Sequence, residues 1–261
     1  MVMSARELAD LMPNATYLES DEPEMESSLH YAQLALLVAC LEWLWRGRDD
    51  FFIGANLTVY FSREQLKTKD FRGPDFFVVK DTERRDRRSW VTWEEGGKYP
   101  DMIIELLSDS TARVDRNFKK DLYQNRFRTP EYFWFSPETM EFEGYQLVNQ
   151  RYEVIAPNGA GQRYSRVLGL FLGVHQRQLR YFLESGDLVP TLPEATAAAI
   201  AQAQAATDQA EVMTVQAEAA SAQAQAAETK VQEAETKAQE AETKAARLAA
   251  QLRELGIEPE A

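Results

Sequence analysis

The sequence predicts an α/β domain over residues 1–191, followed by a long helix over residues 192–261. Three observations carry that prediction. Short runs rich in β-branched and aromatic residues alternate with stretches of helical period as far as Pro190. Aromatic residues then stop entirely. In their place comes an alanine-rich stretch with a seven-residue repeat.

Residues 4–12 have the pattern of a short amphipathic helix, and residues 14–23 that of an acidic loop. From Glu24 the apolar spacing is helical: Leu29, Leu34, Leu37, Val38, Leu41, Leu44 and Trp45 share a broad face, and Gly47 supplies a stop. A helix this apolar predicts burial against a sheet. Residues 51–61, FFIGANLTVYF, read as β, with Gly54 and Asn56 suggesting a bulge or kink. A basic loop, residues 62–72, leads to Gly73-Pro74-Asp75 and a strand over residues 75–80. Past a charged run, a short Trp90–Trp93 segment and a turn at Gly96-Gly97, residues 102–107 form an apolar run that reads as a buried strand, with Glu105 inside it.

The polar turn over residues 108–111 is suited to capping a following helix that carries Asp115, Lys119 and Tyr123, with Phe118 and Leu122 as its apolar stripe. Residues 131–136 read as another strand, and residues 142–148 and 152–155 as an antiparallel hairpin turning at Asn149-Gln150. Residues 167–189 read as a further set of short strands with a tight turn at Ser185-Gly186-Asp187.

In the tail, AETKVQE, AETKAQE and AETKAAR form consecutive heptads. With Val231, Ala238, Ala245 and Leu252 at position a, the e positions are Glu228, Glu235 and Glu242 and the g positions Lys230, Lys237 and Lys244. In a parallel pair each g lysine faces an e glutamate of the other helix, so the charges permit a homodimeric coiled coil. Alanine at a and d buries about a quarter of the surface leucine would, so such a coil is weak by itself. A solvated single helix is the alternative that alanine propensity and Glu-to-Lys spacing also allow.

Composition excludes several classes. A single cysteine, Cys40 in an apolar run, rules out a disulfide framework or a cysteine-rich zinc site and suits a reducing, cytoplasmic compartment. The longest apolar stretch, residues 29–45, is short for a membrane span and is interrupted by His30, Gln33 and Glu42, so no membrane partner is expected. The first ten residues do not have the form of a signal peptide. Residues 191–261 carry 12 acids against 5 bases (−7), leaving 30 against 24 (−6) before them. Nucleic-acid binding by such a chain must rest on local patches, for which Arg84, Arg85, Arg87, Arg88, Arg113, Arg116 and Lys120 are candidates against a plain solvated surface. The two histidines, His30 and His175, lack metal-type spacing, and Glu94-Glu95 reads as a solvated pair or a secondary metal contact.

The chemistry-bearing residues are Asp75 at the start of one strand, Glu105 within another and Lys119 on the next helix. Hard divalent cations bind carboxylate oxygens and keep several waters, so two acids on rigid strands suffice to hold one. A nearby lysine can stabilise negative charge developing on a phosphoryl group. Asp115, Lys119 and Tyr123 are four residues apart and share one helical face. A surface ion pair between helix lysine and strand acid is the bland reading of the same spacing.

These residues resemble the Uma2 family of endonucleases, also described as DUF820, within the PD-(D/E)XK restriction-nuclease superfamily. The resemblance lies in Pro74-Asp75, in the run from Ile103 to Ser108, in Ser110-Thr111 followed by Asp115, Lys119 and Tyr123, and in the run from Pro130 to Phe135. It covers residues 24–191. A heptad tail after this domain is similar to that of cyanobacterial members. The resemblance implies a restriction-endonuclease-like mixed central sheet flanked by helices, with Asp75 and Glu105 as ligands of Mg²⁺ (or Mn²⁺) and Lys119 as catalytic lysine. It also implies a first-helix acid, for which Glu26 is the candidate, although helix N-termini favour acids in any case. Position 107 is leucine where the superfamily pattern has its lysine, so the lysine must come from the helix.

The expected activity is therefore a metal-dependent endonuclease acting on DNA through Asp75, Glu105, Lys119 and Glu26. A nuclease fold that serves only binding or assembly through its coiled coil is the alternative reading. The acidic balance and long tail favour that alternative, and the intact acid, acid, lysine series favours the enzyme.

Overall fold

In the computed structural model, a six-stranded sheet in the order β1-β3-β5-β6-β7-β8 forms the centre of the domain. Its strands are β1 (Phe51–Ala55), β3 (Phe76–Lys80), β5 (Met102–Leu106), β6 (Glu131–Phe135), β7 (Phe142–Val148) and β8 (Arg151–Val154). All neighbours are antiparallel except β5 and β6, so the sheet is mixed, as the resemblance implied. The residues described are 4, 15, 17–22, 25, 27–62, 65, 73–108 and 118–254. The short helix expected over residues 4–12, apart from Ser4, and the basic loop of residues 62–72, apart from Ser62 and Gln65, lie outside them.

Strand alternation sends β5 side chains to two different cores. Met102, Ile104 and Leu106 join Phe76, Val78, Phe133 and Phe135 on one face, where α1 (Ser28–Leu44) packs through Leu34, Leu37, Cys40 and Leu41. Ile103 and Leu107 join Phe77, Val79, Tyr132 and Trp134 on the other face, covered by Tyr123 and Phe127. Glu105 points to this second face, fully buried in line with Ile103 and Leu107.

Helix α1 begins where Ser27 accepts the His30 N–H, and it buries one face through His30, Gln33, Leu34, Leu37, Cys40 and Leu41, while Leu29, expected on that face, and Tyr31 are exposed. Beneath it lies a three-stranded sheet of β9 (Arg163–Ser165), β10 (Leu170–His175) and β11 (Gln178–Phe182), in the order β11-β10-β9. The Gln33 amide forms two bonds with the Leu179 backbone, donating to its carbonyl at 3.0 Å and accepting its N–H at 2.9 Å. That fixes helix to strand as a further strand would. The hairpin turns at Asn149-Gln150 and Gln176-Arg177 each hold two residues at positive φ, the geometry that matches strand twist. The 51–61 run divides into β1 and β2 (Val59–Tyr60), and β2 pairs in parallel with β4 (Trp90–Val91). Gly54 marks no bulge: it sits opposite Phe77 in regular register, and a Cβ there would occupy the space of the Phe77 ring.

Glu131, buried on β6, takes the Ser165 hydroxyl on one oxygen and the Arg166 N–H at 2.7 Å on the other, which docks the β9 turn. Burial pushes its carboxyl above the usual range, against the opposing effect of these bonds. A raised native pKa means the fold binds this proton more tightly than the unfolded chain, so its contribution falls as pH rises from about 4.5 through the raised value. Glu131→Gln keeps an oxygen for the Arg166 N–H and removes the ionisation. Melting curves across pH 4–8 are expected to show wild type losing stability relative to the variant as pH rises, by at most about 1.4 kcal/mol per pH unit. Parallel curves contradict this account.

The chain divides into two compact units, residues 1–195 and 196–261. Helix α3 (Leu192–Glu254) opens with a capping box within the first unit: Thr191 caps, and Glu194 reaches back to the Thr191 N–H at 2.7 Å. Glu194 also grips Arg180, whose guanidinium holds its carboxyl down to about 2. No described residue of α3 is buried, and no helix among the described residues is long and apolar enough to cross a membrane.

Candidate active site

The site forms where the start of β3 meets the end of β5, because the two antiparallel strands place Phe76 opposite Ile104 and so carry Asp75 level with Glu105. Asp75 Oδ2 accepts the Leu106 N–H at 2.7 Å, and its own carbonyl accepts the Asn56 N–H at 2.7 Å. The carboxylate is thus fixed to the strand that carries the second acid.

Glu105 is a buried charge, which is tolerated only with partners. It has two from the helical stretch of residues 118–127. Lys119 Nζ lies 2.9 Å from Oε2, and the Tyr123 hydroxyl donates to Oε1 at 2.6 Å. The four-residue spacing therefore does bring Lys119 and Tyr123 to one acid. The stretch is α-helical at Lys120–Leu122 (α2) and a π-helix at Tyr123–Phe127, a widened turn that recurs at functional sites. Lys119 is nearly buried, at 12% side-chain exposure, so the Lys119–Glu105 pair is not the solvated surface pair of the bland reading. Its ammonium also lies 3.5 Å from the Gly73 carbonyl.

Other expected residues fall out differently. Glu26 and Asp115 lie outside the described residues, as do Arg113, Arg116 and the capping turn at 109–111. Phe118, expected in the apolar stripe, is 61% exposed, while Leu122 packs against the core that Tyr123 joins. His30 serves the frame: its Nε2 faces the Leu107 carbonyl at 3.2 Å and its Nδ1 the Ser27 hydroxyl at 2.8 Å. A carbonyl only accepts, so Nε2 carries the proton.

Glu94 accepts the Ala15 N–H, and Glu95 pairs with Arg85 and Arg87. Arg84 pairs with Glu42, Arg88 with Glu19, and Lys120 lies 3.5 Å over the Tyr145 ring. Among the described residues the candidate phosphate-tracking cations are thus already engaged within the chain. Sequence reasoning missed Glu22, whose carboxylate accepts the Gly73 N–H at 2.5 Å. It sits in a polar stretch without periodicity, where nothing marks one acid above its neighbours.

The donor set suits one kind of metal. Among the described residues there is no group of three His, Cys, Asp or Glu placed to hold an ion. Two carboxylates on adjoining strands, Asp75 and Glu105, are hard oxygen donors of the kind that suits a cation completing its shell with water.

The sequence model of the Uma2 family, described as "Putative restriction endonuclease", matches residues 20–179. Among solved structures the chain is similar to a crystal structure of a "putative nuclease belonging to DUF820" from Anabaena variabilis, at 16% identity and a TM-score of 0.41, over 64% of this chain and 91% of that one. No curated protein matches.

Proposed function

The chain belongs to the Uma2 family of restriction-endonuclease-like proteins, and on that premise we propose that it is a metal-dependent endonuclease hydrolysing phosphodiester bonds in DNA. One observation carries the reading. A fully buried carboxylate, Glu105, is held by Lys119 at 2.9 Å and Tyr123 at 2.6 Å beside a second strand acid, Asp75. An isolated structural ion pair has no need of Asp75 fixed to the next residue.

Asp75 and Glu105 would hold Mg²⁺ (or Mn²⁺). That ion, when bound, supplies charge neutralisation at the phosphoryl oxygens and a water of lowered pKa. The residues of the chain do the rest. Tyr123 fixes Oε1 of Glu105 and leaves the carboxylate aimed at the end of β5. The Leu106 N–H does the same for Asp75. Lys119 brings a cation within reach of the scissile phosphate, where it stabilises charge that grows in the transition state. Supercoiled and single-stranded DNA incubated with Mg²⁺ or Mn²⁺ are expected to be cut, and excess EDTA to stop the cutting. Intact DNA across metals and substrates contradicts the proposal.

The tail is proposed to join two copies as a parallel coiled coil. No described residue of α3 is buried, which leaves the heptad face available, and the e/g charges match only in parallel: an antiparallel pair sets lysine against lysine and glutamate against glutamate. Replacing Lys230, Lys237 and Lys244 together by glutamate in the full chain is expected to convert a dimer to a monomer in light scattering. An unchanged mass removes the coiled-coil role.

A further inference from the structure

We infer that Glu22 is a positioning residue of this site: its carboxylate clamps the Gly73–Pro74–Asp75 turn and thereby sets Asp75 and the Gly73 carbonyl that faces Lys119. The inference rests on the nuclease reading for its catalytic meaning and on geometry alone for the clamp.

Glu22 Oε1 accepts two short bonds, from the Gly73 N–H at 2.5 Å and the Thr58 hydroxyl at 2.6 Å. Bonds to a charged acceptor are about twice as strong as neutral ones, and these converge on one oxygen. Glu22 is itself held in place by its own segment. The Ser20 hydroxyl accepts the Thr58 N–H at 3.0 Å, the Asp21 N–H meets Thr58 Oγ1 at 3.0 Å, and the Ser20 N–H reaches the Arg88 carbonyl at 3.0 Å. Leu18 and Glu19 carbonyls accept the hydroxyls of Ser89 and Tyr60. Residues 18–22 are therefore strapped across the β2–β4 pair and end on the turn that starts β3.

The turn has no slack to lose. A Cβ on Gly73 would lie 2.5 Å from the Leu57 carbonyl oxygen and 2.9 Å from Glu22 Oε1, so the backbone is pressed against both. Its polar groups are engaged at points that include the Gly73 N–H by Glu22, the Gly73 carbonyl toward Lys119, the Asp75 carbonyl by the Asn56 N–H and Asp75 Oδ2 by the Leu106 N–H. Three of these tie the turn to the sheet or the helical stretch that builds the site. The Glu22 bond ties it to the N-terminal segment, and it acts on the residue two before the candidate metal ligand.

Glu22→Ala and Glu22→Gln in the full chain test this, with melting temperature recorded for each. The glutamine oxygen can still accept both bonds, so rescue separates a hydrogen-bonding clamp from a direct charge effect. Hydrogen exchange is read at the Gly73 and Leu106 amides, which needs no activity, and the Mg²⁺ concentration for half-maximal DNA cleavage is read beside it. Glu22→Ala is expected to speed exchange at both amides and raise the Mg²⁺ requirement, each by about tenfold or more. Glu22→Gln is expected to stay within about threefold of wild type. Equal loss in both variants, or no change at either amide in Glu22→Ala, overturns the inference. A wild type that cuts no DNA but shows the exchange pattern leaves the clamp standing and removes the nuclease reading instead.

Discussion

Lys119→Ala is expected to cut DNA about 10²–10³-fold more slowly than wild type, the loss seen when one preorganised charge-stabilising group is taken from a site that excludes water. The reason lies in where Lys119 stands. At 12% side-chain exposure it is shielded from bulk water, and its ammonium is fixed between Glu105 Oε2 and the Gly73 carbonyl rather than free to reorient. A preorganised cation costs nothing to align when charge appears on the phosphate. A surface lysine would cost side-chain entropy and lose most of its field to water. Single-turnover cleavage at saturating DNA isolates the effect, because a binding defect alone is overcome by concentration. A Lys119→Ala rate within threefold of wild type shows that the ion pair is structural.

Glu105→Ala is expected to abolish cleavage and also to destabilise the fold by about 3 kcal/mol, since it takes from the nearly buried Lys119 ammonium and the buried Tyr123 hydroxyl the carboxylate that both bond. Lys119→Ala is expected to destabilise similarly, because it takes the ammonium away from a fully buried carboxylate. The double variant removes both charges, so its cost should fall at least about 2 kcal/mol short of the sum of the single ones. Denaturant unfolding of the four proteins closes this cycle. Additive costs mean that Glu105 and Lys119 do not stabilise each other, and the description of a buried, mutually dependent pair fails.

Much of this architecture could be read in the residues because local signals agreed with tertiary ones. The continuous apolar runs at 102–106 and 131–135 are the two adjacent parallel strands, buried on both faces, and Asn149-Gln150 supplied the turn its hairpin uses. Lys119 and Tyr123 were legible together because four-residue spacing survives the passage from α- to π-helix. What escaped was non-local. Gly54 suggested a bulge, but its small size answers to Phe77 on another strand. Phe118 looked like stripe and is exposed, since an apolar residue's type does not tell whether a neighbour is there to cover it. The β9 strand at 163–165, three residues long, is too short to show alternation. Glu22 reaches Gly73 across 51 residues, and no spacing rule links positions so far apart.

The measurement that bears most directly on the Asp75–Glu105–Lys119 centre compares wild type with Asp75→Ala on supercoiled plasmid in Mg²⁺. Asp75 lies at the edge of β3 and its carboxylate bonds the Leu106 N–H, so its removal should leave the fold cooperative by melting curve while taking away one of two metal-binding acids. The expected result is conversion of plasmid to nicked and linear forms by wild type, and intact plasmid with Asp75→Ala at the same protein concentration. Equal cleavage by the two proteins, or intact plasmid with both, contradicts the account.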